Sequence, residues 1–288
     1  MVYWQWTNRG FFSEYNLFMF ARFYYQEIKG KKFFCDYKKS NLGSKALGYY
    51  FSEYAPEIDI PLYYGISPYE KNKFKLFYHD CLTRIVFGDD FVPHHKAFNF
   101  VWNPGFGSIL ESESGLSALF SYYEKSWDFT DKFKVEVNNK IQQLNLPSSY
   151  AAIHVRRGDK LRKEAVLKEL YNYIKFLNID DLKCLYVSTD DFSTISDLKN
   201  ILPPHIELKY LCDEESNGHE QSKFNKRPDY CIDDDISKLL LEVEIMRRSS
   251  SFVGSFTSNI GTAVYMLRHG INSYSVDIDF TLYYNPYR

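Results

Sequence analysis

Neither sign of charge prevails in this chain: 35 Lys and Arg stand against 37 Asp and Glu, a net charge of −2. A general nucleic-acid binder needs a strongly basic surface, so none is expected here and any anion site must be local. Cysteine is scarce as well. The five, Cys35, Cys81, Cys184, Cys212 and Cys231, are odd in number and lack CxxC spacing. That fits neither a disulfide framework nor a cysteine-based zinc site, and makes a reducing compartment the default. Long apolar runs are missing too. Leu17 to Ala21 is cut short by Arg22, and the preceding Asn8-Arg9-Gly10 is neither a signal-peptide n-region nor a stop-transfer flank. The expectation is a cytoplasmic chain with no signal peptide, membrane anchor or transmembrane segment. Internal repeats, heptads and low-complexity tracts are also absent.

What is present is globular. The 288 residues are 45% apolar and 25% charged, enough for one large domain or two of roughly 140 residues. Aromatics reach 18%, with 25 Tyr and 24 Phe. They are spread along the chain, which favours core packing over a stacking surface.

Val2 to Trp6 reads as a strand, Asn8-Arg9-Gly10 as a turn, and Leu17, Phe20, Ala21, Tyr24 and Ile28 recur at helical spacing. Lys32 to Cys35 then returns as a second strand ending at Asp36, completing a βαβ unit. Helices are predicted over 69–86, 113–126 and 131–144, and Pro147-Ser148-Ser149 suits a connection between domains, with the boundary near 146. Beyond it, strands at 150–155, 185–188, 206–210, 251–255 and 274–277 alternate with helical patterns at 164–177, 192–200, 236–248 and 259–268. Alternating β and α means a parallel sheet covered on both faces. The expected fold is α/β, two Rossmann-like domains facing a central cleft, with residues 1–145 as the N-terminal domain and 146–288 as the C-terminal one.

Three motifs could carry chemistry. Ile153-His154-Val155-Arg156-Arg157-Gly158-Asp159-Lys160 closes the first strand of the second half, where α/β folds bind ligands. Strand alternation sets His154 and Arg156 on one face and Arg157 on the other, so one arginine can reach a ligand while its neighbour holds the loop. A planar guanidinium there suits pyrophosphate. The competing reading is a structural Arg157–Asp159 pair with Arg156 at a solvated strand end. Arg157-Gly158-Asp159 also spells an integrin-recognised tripeptide, but it continues a buried strand rather than an exposed loop tip.

The second motif is Leu185 to Asp191, a strand ending in the acids Asp190 and Asp191, better suited to hydrogen bonding a loop or sugar hydroxyl than to holding a metal alone. The third runs from Ser251 to Gly261, where a strand meets small hydroxylated residues and then a helix with Ser258 as N-cap. Free N–H groups at such a helix start can hold a phosphate. Asp233 to Asp235, just before a helix placed at Ile236, is explained by the helix dipole.

In this order the three motifs resemble the metal-independent fucosyltransferases with the GT-B fold, a superfamily that includes α1,6-, α1,2- and protein O-fucosyltransferases. The α1,6 branch is the nearest in motif: it carries His-Val-Arg-Arg-x-Asp-Lys with Glu four residues on, and here Lys160 is followed at that spacing by Glu164. The α1,2 branch commonly has Tyr in place of Lys160. The match spans about residues 150 to 268; the N-terminal half agrees in its opening strand, Gly10 loop and helix.

The resemblance implies that GDP-fucose is the donor and a glycan the acceptor, with neither metal nor other cofactor. It implies that Arg156 binds the β-phosphate, with His154, Arg157 and Asp159 beside it, that Gly10 contacts phosphate from the other domain, and that Ser258, next to Asn259, supplies the phosphate-binding hydroxyl. The family has an Asp for guanine sixteen residues before that serine, where this chain has Glu242. Asp190 and Asp191 fall on an acid pair near the fucose, and Tyr171 on a sugar-contacting tyrosine if two residues are skipped. Glu164 becomes the base for the acceptor hydroxyl, and Lys160 orients it or adds charge. An α1,2- or protein O-fucosyltransferase, or a catalytically silent GDP-sugar-binding module, are the alternatives; only an enzyme has use for Glu164.

Overall fold

The computed structural model describes residues 1–38, 40–57, 70–101, 112–158 and 169–280. Two compact units emerge: Met1–Asn41 with Glu53–Ser126, and Leu42–Ser52 with Trp127–Arg288. This division comes ahead of the sequence-based boundary near 146, and the reason is aromatic. The helix Asp131–Leu144 buries Phe133 edge-on against Tyr50 at 5.0 Å and against Phe129 at 5.0 Å, which commits it to the second unit.

In the first unit β1 (Val2–Gln5) and β2 (Phe33–Asp36) pair in parallel, Val2 opposite Phe33. The intervening helix Phe11–Arg22 is buried nearly all round, so it reads as a core helix rather than an amphipathic one. It then widens into π-helical turns over Phe23–Ile28, which leaves the apolar Ile28 at 41% exposure. Trp4, Trp6, Phe18, Phe33 and Phe98 are fully buried in this unit, as the spread of aromatics predicted. The loop after β1 is tied by Glu14, a fully buried carboxylate that accepts from Thr7 Oγ1 and from Arg9 Nε at 2.6 Å.

The second unit carries five parallel strands in the order β5-β4-β3-β6-β7: β3 is Ala151–Val155, β4 Cys184–Thr189, β5 Glu207–Tyr210, β6 Ser251–Gly254 and β7 Ser273–Ser275. Both faces are covered. Ile153, Val155, Leu185, Val187 and Val253 pack with Ile195 and Leu198 of the helix Ser193–Ile201, while the long helix Asp229–Arg248 covers the other face. Uniformly buried β3 and β4 are what a central parallel strand requires.

That long helix begins at Asp229, not Ile236, because Pro228 stands at its N-cap. The acidic run Asp233 to Asp235 therefore lies inside it, and has specific work beyond the dipole. Asp233 accepts from Lys45 N at 3.0 Å and from Ser44 Oγ, and Asp235 pairs with Arg227. Among the described residues, no helix is long and apolar enough to cross a membrane.

Candidate functional site

From β3 the chain steps outward through β4 and β5, then returns to the other side of β3 for β6 and β7. The winding direction thus reverses between β3 and β6. Loops at the carboxyl ends of strands flanking such a reversal are where open α/β sheets bind ligands. Two loops meet this description: Arg156-Arg157-Gly158 after β3, and Ser255-Phe256-Thr257-Ser258 after β6.

The first loop is built around Asp190, one residue past β4. Its carboxylate takes Arg157 N at 2.7 Å, Gly158 N at 3.0 Å, His219 N at 3.1 Å and Arg156 Nη1 at 3.0 Å. Burial alone would raise the Asp190 pKa, but the Arg156 guanidinium and the amides of Arg157 and His219 hold it below the usual carboxylate range. Asp190 is thereby a bracket for the loop, its oxygens engaged within the chain. Arg157 points to the opposite face and donates from Nε to Thr194 Oγ1 at 3.4 Å, so the two arginines diverge as strand alternation predicts. Gly158 has no room for a side chain: a Cβ there would lie 2.3 Å from the carbonyl oxygen of His219. His154 is buried at the end of β3, opposite Ser188 in register.

Asp277, two residues past β7, plays the same part for the second loop. It accepts from Phe256 N at 2.9 Å, Thr257 Oγ1 at 2.6 Å, Ser275 Oγ at 2.8 Å and from Ser255 Oγ. Burial pushes its pKa up, and the hydroxyls of Ser255, Thr257 and Ser275 with the Phe256 amide bring it below its ordinary value. Sequence reading passed over Asp277 as the tail of a strand; its position just beyond β7, like that of Asp190 beyond β4, is the signal that could have found it. The helix Asn259–Leu267 then starts with Ser258 at the N-cap, buried, its hydroxyl making no cap hydrogen bond to the helix. The first-turn N–H groups of such a helix favour an anion. Gly261 lets the loop fold tightly over this turn, since a Cβ would sit 2.1 Å from the Ser255 carbonyl oxygen.

Glu242 lies on the long helix, buried, where its Oε2 accepts from Ser188 Oγ at 3.2 Å. Ser188 neighbours His154 across the β3–β4 ladder, so Glu242 belongs to the face that carries His154. Burial raises its pKa to about 7, with Lys238 and the Ser188 hydroxyl opposing. Glu242 is therefore a buried acid rather than the flank of an amphipathic helix. Asp191 accepts from Ser193 N at 2.9 Å, holding the start of the helix Ser193–Ile201. Tyr171 is 70% exposed on a short helix, Tyr171–Ile174, whose Tyr173 faces the core. Gly10 belongs to the first unit, at the N-cap of the helix Phe11–Arg22. Its φ of −54° is open to any residue, so backbone strain does not demand glycine there. Asp159, Lys160 and Glu164 lie outside the described residues.

No protein-family model matches the chain, and no curated protein matches it by sequence. Solved structures do match by fold. The fucosyltransferase NodZ from Bradyrhizobium superposes with a TM-score of 0.54 at 10% identity, over 92% of this chain and 92% of that one. A variant of Arabidopsis thaliana FUT1 in complex with GDP gives 0.57 at 14% identity, over 95% and 69%. POFUT1 in complex with GDP-fucose gives 0.54 at 10% identity, over 95% and 96%. The mixed α/β fold with parallel sheets is thus the GT-B fold of these fucosyltransferases, as the motifs implied.

Proposed function

We propose that this chain is an inverting fucosyltransferase that moves L-fucose from GDP-β-L-fucose to a hydroxyl of a glycan acceptor, and that its linkage is of the α1,6 type. The observation that carries the reading is the Asp190 bracket at the sheet's point of reversal, which fixes Arg156 beside a strand end whose neighbour opens into a helix N-terminus. A guanidinium and free N–H groups together suit a leaving pyrophosphate. The shared fold of structures solved with GDP or GDP-fucose supports the same donor.

In this scheme the acceptor oxygen bonds to the anomeric carbon as the bond from that carbon to the β-phosphate oxygen breaks, its electron pair leaving with GDP. Arg156 and the helix start at Ser258 and Asn259 stabilise the negative charge that develops. The acceptor proton passes to Glu164, which Lys160 orients. No metal is needed where a guanidinium and backbone amides supply the positive potential. Glu242 is the guanine-recognising carboxylate, which can accept from the ring N–H and amino group. His154 and Asp159 belong to the donor pocket by the motif match, and Gly10 is proposed as a phosphate contact on the same match. Tyr171 and Asp191 are proposed as sugar-side contacts, with Asp191 the next base to test should Glu164 fail.

Incubation with GDP-fucose and an array of chitooligosaccharide, N-glycan and polysaccharide acceptors, with linkage analysis of the product, tests the reading. An α1,6-fucosylated product is expected; an α1,2-linked product or a fucosylated peptide would move the chain to a sister branch. Glu164→Gln should keep GDP binding and cut kcat by about 10²- to 10⁴-fold, and near-normal kcat would place the base elsewhere. Turnover should survive EDTA, and a loss restored by Mg²⁺ or Mn²⁺ would overturn the metal-independent scheme.

A further inference from the structure

The first unit holds a cluster that fucosyl transfer does not use. His79 and Asp80 sit side by side on the helix Lys73–Phe87, and His95 on the helix His94–Val101. One ligand atom from each of the three lies within 4.8 Å of the other two, the one such trio among the described residues. His95 Nε2 is 3.3 Å from Asp80 Oδ1, and the two imidazoles meet with ring centroids 6.1 Å apart at 76°. Both histidines are 6% exposed.

From this juxtaposition we infer that His79, Asp80 and His95 form a divalent transition-metal site, of the zinc type, that clamps the two helices together. The donor set is two imidazoles and one carboxylate, the mixed nitrogen and oxygen chemistry that zinc accepts. Tetrahedral zinc with bonds of about 2.0–2.1 Å has ligands about 3.3 Å apart, and the His95 to Asp80 separation already equals that edge at 3.3 Å. The His79 ligand atom lies within 4.8 Å of the other two, and its side chain closes the third corner by moving toward them. Asp80 is 23% exposed, so the fourth position opens to water.

The rest of the surroundings fit an outer sphere. Lys96 Nζ holds the other carboxylate oxygen, Asp80 Oδ2, at 2.6 Å, fixing the carboxylate while leaving Oδ1 for the ion, as outer-sphere partners do. Lys96 thus accounts for Oδ2, while the buried His95 imidazole reaches Oδ1 and the His79 ring packs against it. The clamp also has somewhere to transmit. His94, next to His95, accepts from Gln5 N through Nδ1 at 3.1 Å, so the second helix is bonded to β1. A metal at His95 would fasten the helix Lys73–Phe87 to that layer. Its role is structural and independent of the donor chemistry.

The test uses the whole chain, freed of any affinity tag, dialysed against EDTA and titrated with Zn²⁺ against a chromophoric chelator. One ion per chain should bind with Kd of about 1 µM or tighter, and Co²⁺ in its place should give the visible absorption of a four-coordinate ion. Zn²⁺ should slow hydrogen exchange across residues 73–87 in the wild-type chain. Asp80→Asn and His95→Gln should each weaken binding by more than about 10²-fold. Absence of stoichiometric binding to the wild-type chain would overturn the site, and so would binding that leaves exchange over 73–87 unchanged. Stoichiometric binding that survives both substitutions would do the same. Should a variant fail to fold, the Co²⁺ spectrum and exchange pattern of the wild-type chain still decide.

Discussion

The loops after β3 and β6 are built to one plan and offer different things. Each is gathered by a carboxylate from just beyond the neighbouring strand, Asp190 beyond β4 and Asp277 beyond β7. Each carboxylate is held ionised by what it gathers. Asp190, however, binds a guanidinium as well as backbone amides, whereas Asp277 binds amides and three hydroxyls. Asp190 therefore holds a full cation in one loop, as its ion-pair partner, and the other loop ends in a helix start whose partial charge is about half a unit. One strand-end carboxylate thus fixes a cation, and the other fixes backbone amides and hydroxyls. In both, the acid is the scaffold on which the loop is ordered.

If that holds, breaking the first bracket should cost most. Asp190→Asn leaves Arg156 without its counterion at a site where both side chains are largely buried, a loss of about 3–5 kcal/mol for a broken buried pair. Denaturant melts would register it, and a change within error of zero would mean the bracket is decorative. Both acids also make the fold acid-sensitive. Their folded pKa values are depressed, so their stabilisation is complete above the unfolded value of about 3.9 and disappears as pH falls through the lower folded values.

Glu242 should move the other way. Its folded pKa is raised by burial to about 7, so between the unfolded value of about 4.3 and that point the folded chain holds the proton more tightly and stability falls as pH rises. Glu242→Gln should then stabilise the chain by up to about 3 kcal/mol at about pH 8 and by little at about pH 5. A melting temperature unchanged at both pH values would show that Glu242 is not a buried ionising group. If the same carboxylate reads guanine, GDP affinity should rise with pH through about 7, the opposite trend from stability, because only the ionised form accepts from both guanine donors.

Asp277→Asn sharpens the comparison at lower cost. Its partners are neutral, so about 2 kcal/mol is expected, with GDP affinity reduced less than in Asp190→Asn. Equal losses would mean that the two loops contribute alike. Asp191→Ala should cost least, about 1 kcal/mol for a helix start left without its acceptor, measured by the same melts.

Much of this was legible in the sequence because parallel strands are apolar throughout and end at recognisable turns. All five strands of the second unit were predicted to within a few residues, and the face division of Arg156 and Arg157 followed from alternation alone. What escaped was long-range. That Asp190 would gather the amides of residues 157, 158 and 219, or Asp277 those of 256 and 257, depends on which strands become neighbours. The long helix was started too late because its first turns, Asp229 to Asp235, are too acidic to look amphipathic. The meeting of His79 and Asp80 with His95 was invisible for the same reason as the brackets: two helices must first fold side by side.

Calorimetric titration of the wild-type chain with GDP and with UDP, repeated on Arg156→Lys, tests the central claim most directly. If Glu242 reads guanine as proposed, GDP should bind and UDP should not, because uracil presents a carbonyl where guanine presents donors. Arg156→Lys should weaken GDP markedly, since a point charge cannot reproduce the two parallel hydrogen bonds of a guanidinium to pyrophosphate. Equal affinity for GDP and UDP, or GDP binding untouched by Arg156→Lys, would contradict the claim that the Asp190 bracket fixes Arg156 for a guanosine diphosphate donor.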